Sequence, residues 1–389
     1  MKIEQKIWTK TDGWKPGSPG AIAESAQLVL AFGATSIFRK KRLFNEVKKI
    51  YPEAYMFGCS TAGEICNTSV LDDSLCITAV RFEHTQFKGA KVRLKEVTNS
   101  LQAGGYLAQA LPPAVPARAS GKKDELVHVL VLSDGLQVNG SDLVRGLIQY
   151  LPEGVTVTGG LAGDGDRFGE TFVLCDNIAE KDTIAALGLY GNRLRVGYGS
   201  LGGWDPFGPE RIITRSEGNI LYELDGHSAL GLYKKYLGEH AKGLPATGLL
   251  FPLSLRIKTG ETGVVRTILS VDEIEQTMTF AGDVPEGAYA RFMKANFDRL
   301  IDGAIGAAKT SYKAIGENTP GLAILISCVG RKLVLKQRVE EEVEGVRDIL
   351  GDHAALTGFY SYGEISPFTP GAKCELHNQT MTITAFLEK

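Results

Sequence analysis

Three glycine-rich segments hold most of the side chains in this chain that could do chemistry. Gly58-Cys-Ser-Thr-Ala-Gly-Glu-Ile65 offers the Cys59 thiol, the Ser60 hydroxyl and the Glu64 carboxylate. Gly159-Gly-Leu-Ala-Gly-Asp-Gly165 adds Asp164, and Gly358-Phe-Tyr-Ser-Tyr-Gly-Glu-Ile365 adds Tyr360, Tyr362 and Glu364. The first and third share a pattern of Gly, then a hydroxyl residue three positions on (Thr61, Ser361), then Gly-Glu-Ile. Glycine lets backbone N–H groups approach a ligand closely, so such loops can hold a carboxylate while a side-chain carboxylate holds an amino group. The same glycines can also serve only as tight turns. Arg331 follows Ser327-Cys-Val-Gly at a strand end and can clamp a carboxylate with two hydrogen bonds or make a structural ion pair. His377 and Asn378 lie in Leu376-His-Asn-Gln-Thr380 as further candidate ligand contacts, and His377 can instead bond to the Gly-Glu loop. Cys59, Cys328 and His377 leave a thiol-nucleophile enzyme as an outside alternative, without the flanking pattern of a cysteine enzyme. No loop matches a nucleotide fingerprint: 163–169 has the wrong spacing for the dinucleotide pattern, and a P-loop lysine is absent.

The elements that must position these residues repeat. Apolar strand-length runs, Leu28-Val-Leu-Ala-Phe-Gly33, Val127-His-Val-Leu-Val-Leu-Ser133 and Leu322-Ala-Ile-Leu-Ile-Ser-Cys328, each precede a helix-like stretch, a glycine segment and a further strand (75–82, 183–190, 381–387). Continuous apolar strands alternating with helices predict an α/β fold: two modules built from repeated β-α-(Gly loop)-β units, with mixed, largely parallel sheets covered by helices. The last strand, after a short link, is expected to pair antiparallel. Helical periodicity over 289–315 and 336–350 predicts two amphipathic helices, with Gly351 ending the second. Arg39–Arg42 reads as the end of a helix, 110–123 as a surface loop, and 202–209 as a turn-rich stretch before a division into modules 1–222 and 223–389.

Composition limits the function classes. The 389 residues are 43% hydrophobic and 23% charged, with a formal net charge of −2, so neither disorder nor a nucleic-acid surface is indicated. The N-terminal residues lack the apolar region of a secretory signal, and no apolar run approaches a membrane span, so a cytoplasmic location is expected. The six cysteines form no C-x-x-C pair, which argues against structural zinc.

Taken together and in order, the Gly58–Ile65 and Gly358–Ile365 segments, Ser133-Asp-Gly135, Gly159–Asp164, Gly203-Trp204, Leu224-Asp-Gly226, Ser327–Arg331 and Leu376–Thr380 resemble the FIST family from about residue 27 onward. The resemblance implies an N-terminal and a C-terminal FIST module forming an intracellular sensor of a small, amino-acid-like ligand, not an enzyme. It implies an output through a separate signalling protein such as a histidine kinase or cyclase. It also implies an alternative, a haem-based nitric-oxide sensor. Haem requires a neutral imidazole in an apolar pocket. His240, flanked by Leu237, Leu244, Leu249 and Phe251, is the expected metal ligand, and without C-x-x-C-H the haem would be non-covalent.

Overall fold

A computed structural model of the chain describes residues 1–117, 122–176, 178–257, 263–368 and 371–389. Its core consists of three β-α-β units. In the first, Leu28–Gly33 pairs parallel with Tyr55–Ser60 and antiparallel with Ser74–Arg81, beyond which Lys2–Thr9 forms the next strand. In the second, Lys123–Ser133 pairs with Thr156–Leu161, Thr183–Tyr190 and then Gln86–Arg93 in the same senses. In the third, Leu322–Cys328 pairs with Ala355–Ser361, Met381–Glu388 and then Leu194–Leu201. The sheets are mixed and helix-covered as expected, but they are largely antiparallel and not largely parallel: each unit has one parallel pair, and the other pairings described are antiparallel. Only that pair needs a helical crossover.

The repeat extends to backbone register. Gly58, Gly159 and Gly358 sit opposite Ala31, Val131 and Leu325. A Cβ at these three positions would stand 1.8, 1.9 and 1.8 Å from the carbonyl oxygen opposite, so only glycine fits.

Each strand after a glycine loop leaves its own unit. Glu64–Cys66 joins the third unit at Thr357–Phe359, Gly363–Pro367 joins the second at Gly159–Leu161, and Val173–Cys175 joins the first at Phe57–Cys59. The three sheets thus complete one another in a ring. Inside it, Leu28, Leu30 and Phe32 meet Leu130 and Leu132 and Leu322, Ile324 and Ile326 in one buried cluster. The alternate residues Val29, Ala31, Val129, Val131, Ala323 and Leu325 face the outer cores, to which the helices contribute. Burial on both faces is why these strands read as unbroken apolar runs. His128 lies on the inner side, fully buried, with its ring nitrogens 2.7 and 3.0 Å from the Thr156 and Thr158 hydroxyls.

An antiparallel domain is inserted in the third unit between Leu194–Leu201 and the helix Phe297–Ala314. Its strands run from Asp205–Glu217 to Tyr289–Lys294, around the helix Ala229–Leu237 and its own core. The division expected at 222/223 falls within its strand Ile220–Leu224. Several local readings need correction. Residues 289–315 are not one helix, because Tyr289–Lys294 is a strand and the Asn296 side chain, accepting from Arg299 N–H, starts the helix afterwards. The 202–209 stretch turns only at its start; Asp205 opens a long strand whose pairing slips between Phe207 and Arg211, where Gly208 and Pro209 lie. Arg39 caps the end of the one-turn helix Thr35–Phe38, as expected, while Lys41 and Arg42 already open the next helix, Lys41–Ile50. Of the loop expected at 110–123, Ala114–Pro116 pairs with Lys123–Glu125, and 118–121 lie outside the described residues. Helix Val339–Leu350 ends at Gly351, as expected.

Candidate ligand-binding site

The glycine loops leave the carboxyl ends of the parallel strands and meet. Gly163 N–H donates to Ser60 O at 2.9 Å, and the Ser60 hydroxyl returns a bond to Gly163 O at 2.9 Å. Ala62 N–H donates to Tyr360 O, and Tyr360 N–H to Gly63 O, both at 2.8 Å. The Tyr362 hydroxyl accepts from Asp164 N–H at 3.0 Å and donates to Gly165 O at 3.1 Å, with its ring stacked on Phe168 at 4.5 Å. The polar groups of the loops therefore satisfy one another. Asp164 is 2% exposed and accepts from Arg167 Nε at 3.0 Å; burial opposes its charge, but the Arg167 bonds hold its pKa below the ordinary value.

Glu64 and Glu364 are structural counterparts. Glu64 accepts from the Thr61 hydroxyl and from Ser74 N–H (3.1 Å) and Oγ (2.7 Å). Glu364 accepts from Ser361 Oγ (2.6 Å) and from Thr380 N–H (3.1 Å) and Oγ1 (3.0 Å). Each carboxyl ties its loop to the start of the unit's last strand. Burial raises their pKa values to about 7 and about 8, outweighing the hydrogen bonds that favour the anions.

The remaining expected residues separate. Arg331 is fully buried and pairs with Glu342, Nη2 to Oε2 at 2.7 Å, so it takes the ion-pair role and does not face a cleft. Cys59 and Cys328 are also fully buried, and burial pushes both thiols far above their ordinary pKa, which suppresses a nucleophilic thiolate. His377 Nε2 donates to Ser366 O at 2.8 Å, and burial lowers its pKa to about 4, so its neutral ring locks a strand pair. Asn378 donates to Tyr362 O at 3.1 Å and accepts from Thr267 N–H at 3.2 Å, joining core to insertion.

The apolar enclosure expected around His240 is not formed. His240 is exposed in the turn Gly238–Gly243 with its ring 5.4 Å from Phe251, while Leu237 and Leu249 turn into buried cores. His84, His227 and His353 are exposed, and both buried histidines are engaged with hydroxyl or carbonyl oxygens. These donors do not fit an enclosed haem.

A ligand-sized cleft lies instead between the core and the insertion. Its volume is about 420 Å³, within the range of small-molecule sites. Helix Gly140–Tyr150 contributes Ser141, Val144, Arg145 and Ile148, and strand Cys374–His377 contributes Cys374, Glu375 and Leu376. The insertion contributes Leu255, Ile257, Val264, Arg266, Asp283, Pro285 and Ala288, with Lys373 beside them. Arg266, 7% exposed, donates to Asp283 O at 3.0 Å and Leu376 O at 2.9 Å, and no carboxylate pairs with it among the described residues. Burial lowers its pKa to about 10, so the guanidinium stays charged at neutral pH. The seam beneath is closed by Gln379, whose amide donates to Thr267 Oγ1 and Leu249 O, and by Asn139, which donates to Asp283. None of the cleft-lining residues stands out in the sequence, because the lining comes from segments far apart in the chain.

The FIST N domain model matches residues 27–227, and the FIST C domain model matches 229–367. The chain belongs to the FIST family. FIST domains are signal-transduction sensor domains and not catalytic ones. This FIST chain is 24% identical over 353 residues to an uncharacterized protein of Methanocaldococcus jannaschii, spanning 85% of this chain and 64% of that protein. The chain thus spans less than two thirds of the length of that curated relative. A cyanuric acid hydrolase crystal structure from A. caulinodans aligns over 78% of this chain and 99% of its own, at 10% identity and a TM-score of 0.18. That score is too low to bear on fold or activity. No helix among the described residues is long and apolar enough to cross a membrane.

Proposed function

We propose that this FIST protein is a cytoplasmic sensor that binds a small amino-acid-like ligand in the cleft between core and insertion. It then acts on a separate signalling protein, such as a histidine kinase or cyclase. The observation that carries this reading is a cleft of about 420 Å³ with an apolar wall and a buried Arg266 whose guanidinium bonds to backbone carbonyls and, among the described residues, to no carboxylate. A ligand carboxylate would pair with Arg266, a ligand ammonium with Glu375, and an apolar side chain would lie on Val144 and Val264. Binding would hold the insertion against helix Gly140–Tyr150 and strand Cys374–His377, favouring one relative position of the two bodies. The loop convergence serves less well, since its polar groups already have partners.

Thermal shift against a panel of amino acids and small carboxylates tests this, because a ligand specific to the folded state stabilises it. Val264→Trp should fill the cleft and abolish the shift, while Glu364→Gln should leave ligand affinity unchanged. Undiminished binding by Val264→Trp would sink the proposal.

A further inference from the structure

The charges that line the cleft are unequally matched. Arg145 is held by Asp142 and, at 3.3 Å, by Asp283, whose carboxylate also accepts from Asn139 at 2.7 Å, so these groups already have partners. Three lining charges are left over: Arg266, Lys373 and Glu375. None of the three has an ion-pair partner among the described residues. Lys373 and Glu375 are exposed, whereas Arg266 is buried. The unmatched part of the cleft therefore carries two positive charges and one negative charge.

One strand sets the order of these charges. Cys374–His377 lies at the edge of its sheet, and Arg266 Nη1 donates to Leu376 O at 2.9 Å. Glu375 immediately precedes Leu376, and Lys373 lies two residues farther back. Along this segment the charges run positive, negative, positive. The backbone from Leu376 to Lys373 spans no more than about 11 Å, and Lys373 carries its ammonium on a flexible four-carbon stem that shortens the gap. The Arg266 Nη2 reaches only Ser141 Oγ, at 3.4 Å, and so keeps N–H capacity for a carboxylate.

An amino acid with a second carboxylate has the complementary order: α-carboxylate, ammonium, then side-chain carboxylate. We propose that the cleft selects an acidic amino acid, with its α-carboxylate on Arg266, its ammonium at Glu375 and its side-chain carboxylate at Lys373. This inference rests on the cleft being the ligand site. The methylenes between the two ends would lie on the apolar wall of Val144 and Val264. A neutral amino acid would leave Lys373 without a counter-charge. A dicarboxylate without an ammonium would leave Glu375 facing only like charge, and such juxtaposition is what rejects a wrong ligand. Lys373 and Glu375 are thus the residues that set specificity, and Arg266 is the common anchor.

Isothermal titration of the full chain with L-glutamate, L-glutamine and glutarate tests the proposal. L-Glutamate should bind at least about tenfold more tightly than either of the others, since each lacks one charged contact. Lys373→Glu should remove the preference for glutamate over glutamine and favour L-lysine. Glu375→Gln should erase the difference between glutamate and glutarate. Both side chains are exposed, so unchanged circular-dichroism melting would certify the fold of both variants. Glutamine binding as tightly as glutamate, or a glutamate preference that survives Lys373→Glu, overturns the acidic assignment and leaves the cleft reading in place. Glutamate binding that survives Val264→Trp lies outside the cleft and overturns both. So does the absence of binding by all four compounds up to about 10 mM.

Discussion

Replacing Arg331 by methionine should destabilise the fold strongly and leave ligand affinity unchanged. Arg331 and Glu342 are both 0% exposed. The guanidinium gives Glu342 Oε2 bonds of 3.1 and 2.7 Å and also donates to Gly202 O (2.9 Å) and Leu300 O (2.7 Å). Methionine keeps the apolar stem but leaves a buried carboxylate with only two hydroxyl partners, Tyr360 Oη at 2.6 Å and Ser327 Oγ at 3.1 Å. Breaking a buried pair by removing one partner costs about 3–5 kcal/mol. The two carbonyls left without donors add roughly 1 kcal/mol each. Removing both charges, as Arg331→Met with Glu342→Leu, should recover most of the loss, because the pair's own net contribution is small. Urea unfolding followed by circular dichroism gives the stabilities, and thermal shift gives ligand affinity. An Arg331→Met loss below about 1 kcal/mol with abolished binding would refute the structural role and restore the ligand-clamp reading.

Two further expectations follow from the repeat. Gly58→Ala, Gly159→Ala and Gly358→Ala should each cost more than about 3 kcal/mol by forcing paired strands apart, whereas Gly154→Asn, at φ 84° with open space around it, should be nearly silent; soluble yield and melting temperature report the difference. Glu64 and Glu364 have folded-state pKa values of about 7 and 8, above the unfolded value near 4.3. The folded chain keeps protons that the unfolded chain releases, so this stabilisation is complete below about pH 4 and is lost as pH rises through 7 to 8. Each group contributes a slope of roughly 1.4 kcal/mol per pH unit in that window. The doubly substituted Glu64→Gln, Glu364→Gln chain should lack that decline, and a stability difference from wild type that stays constant between pH 5 and 8 would contradict this assignment.

The repeat was legible because its physics is local. Strands buried on both faces leave unbroken apolar runs, a glycine against a carbonyl leaves an obligatory Gly, and the hydroxyl at 61 or 361 sits three residues before the glutamate that it bonds. The chemistry of those glutamates was not legible: the same carboxylate that could bind an amino group binds Ser74 or Thr380, and only the meeting of chain segments decides which. Arg331 posed the same ambiguity, resolved by Glu342 on the next helix. His240 misled because its apolar neighbours alternate in direction, Leu237 and Leu249 inward and the imidazole outward. The insertion was hidden by short, irregular strands, and a continuous apolar pattern through Met293, Phe297 and Leu300 masked the break at Asn296. The cleft left no sequence signal, since it exists only where helix Gly140–Tyr150 faces the insertion.

The exchange of post-loop strands among the three units has a consequence for how the chain folds. No unit contains all the strands of its own sheet: Cys66 pairs with Thr357, Leu161 with Gly363 and Cys59 with Val173. A nascent chain that has emerged only as far as the second unit holds Glu64–Cys66 with its partner strand still unmade, and Thr156–Leu161 with one side unpaired. Closure of the ring awaits the last unit, and pairings of such long sequence separation form slowly because a large loop must close first. Until then the unpaired edges are open to other chains. The protein should therefore be vulnerable to aggregation during synthesis and, once the ring has closed, should lose its three sheets together when it unfolds.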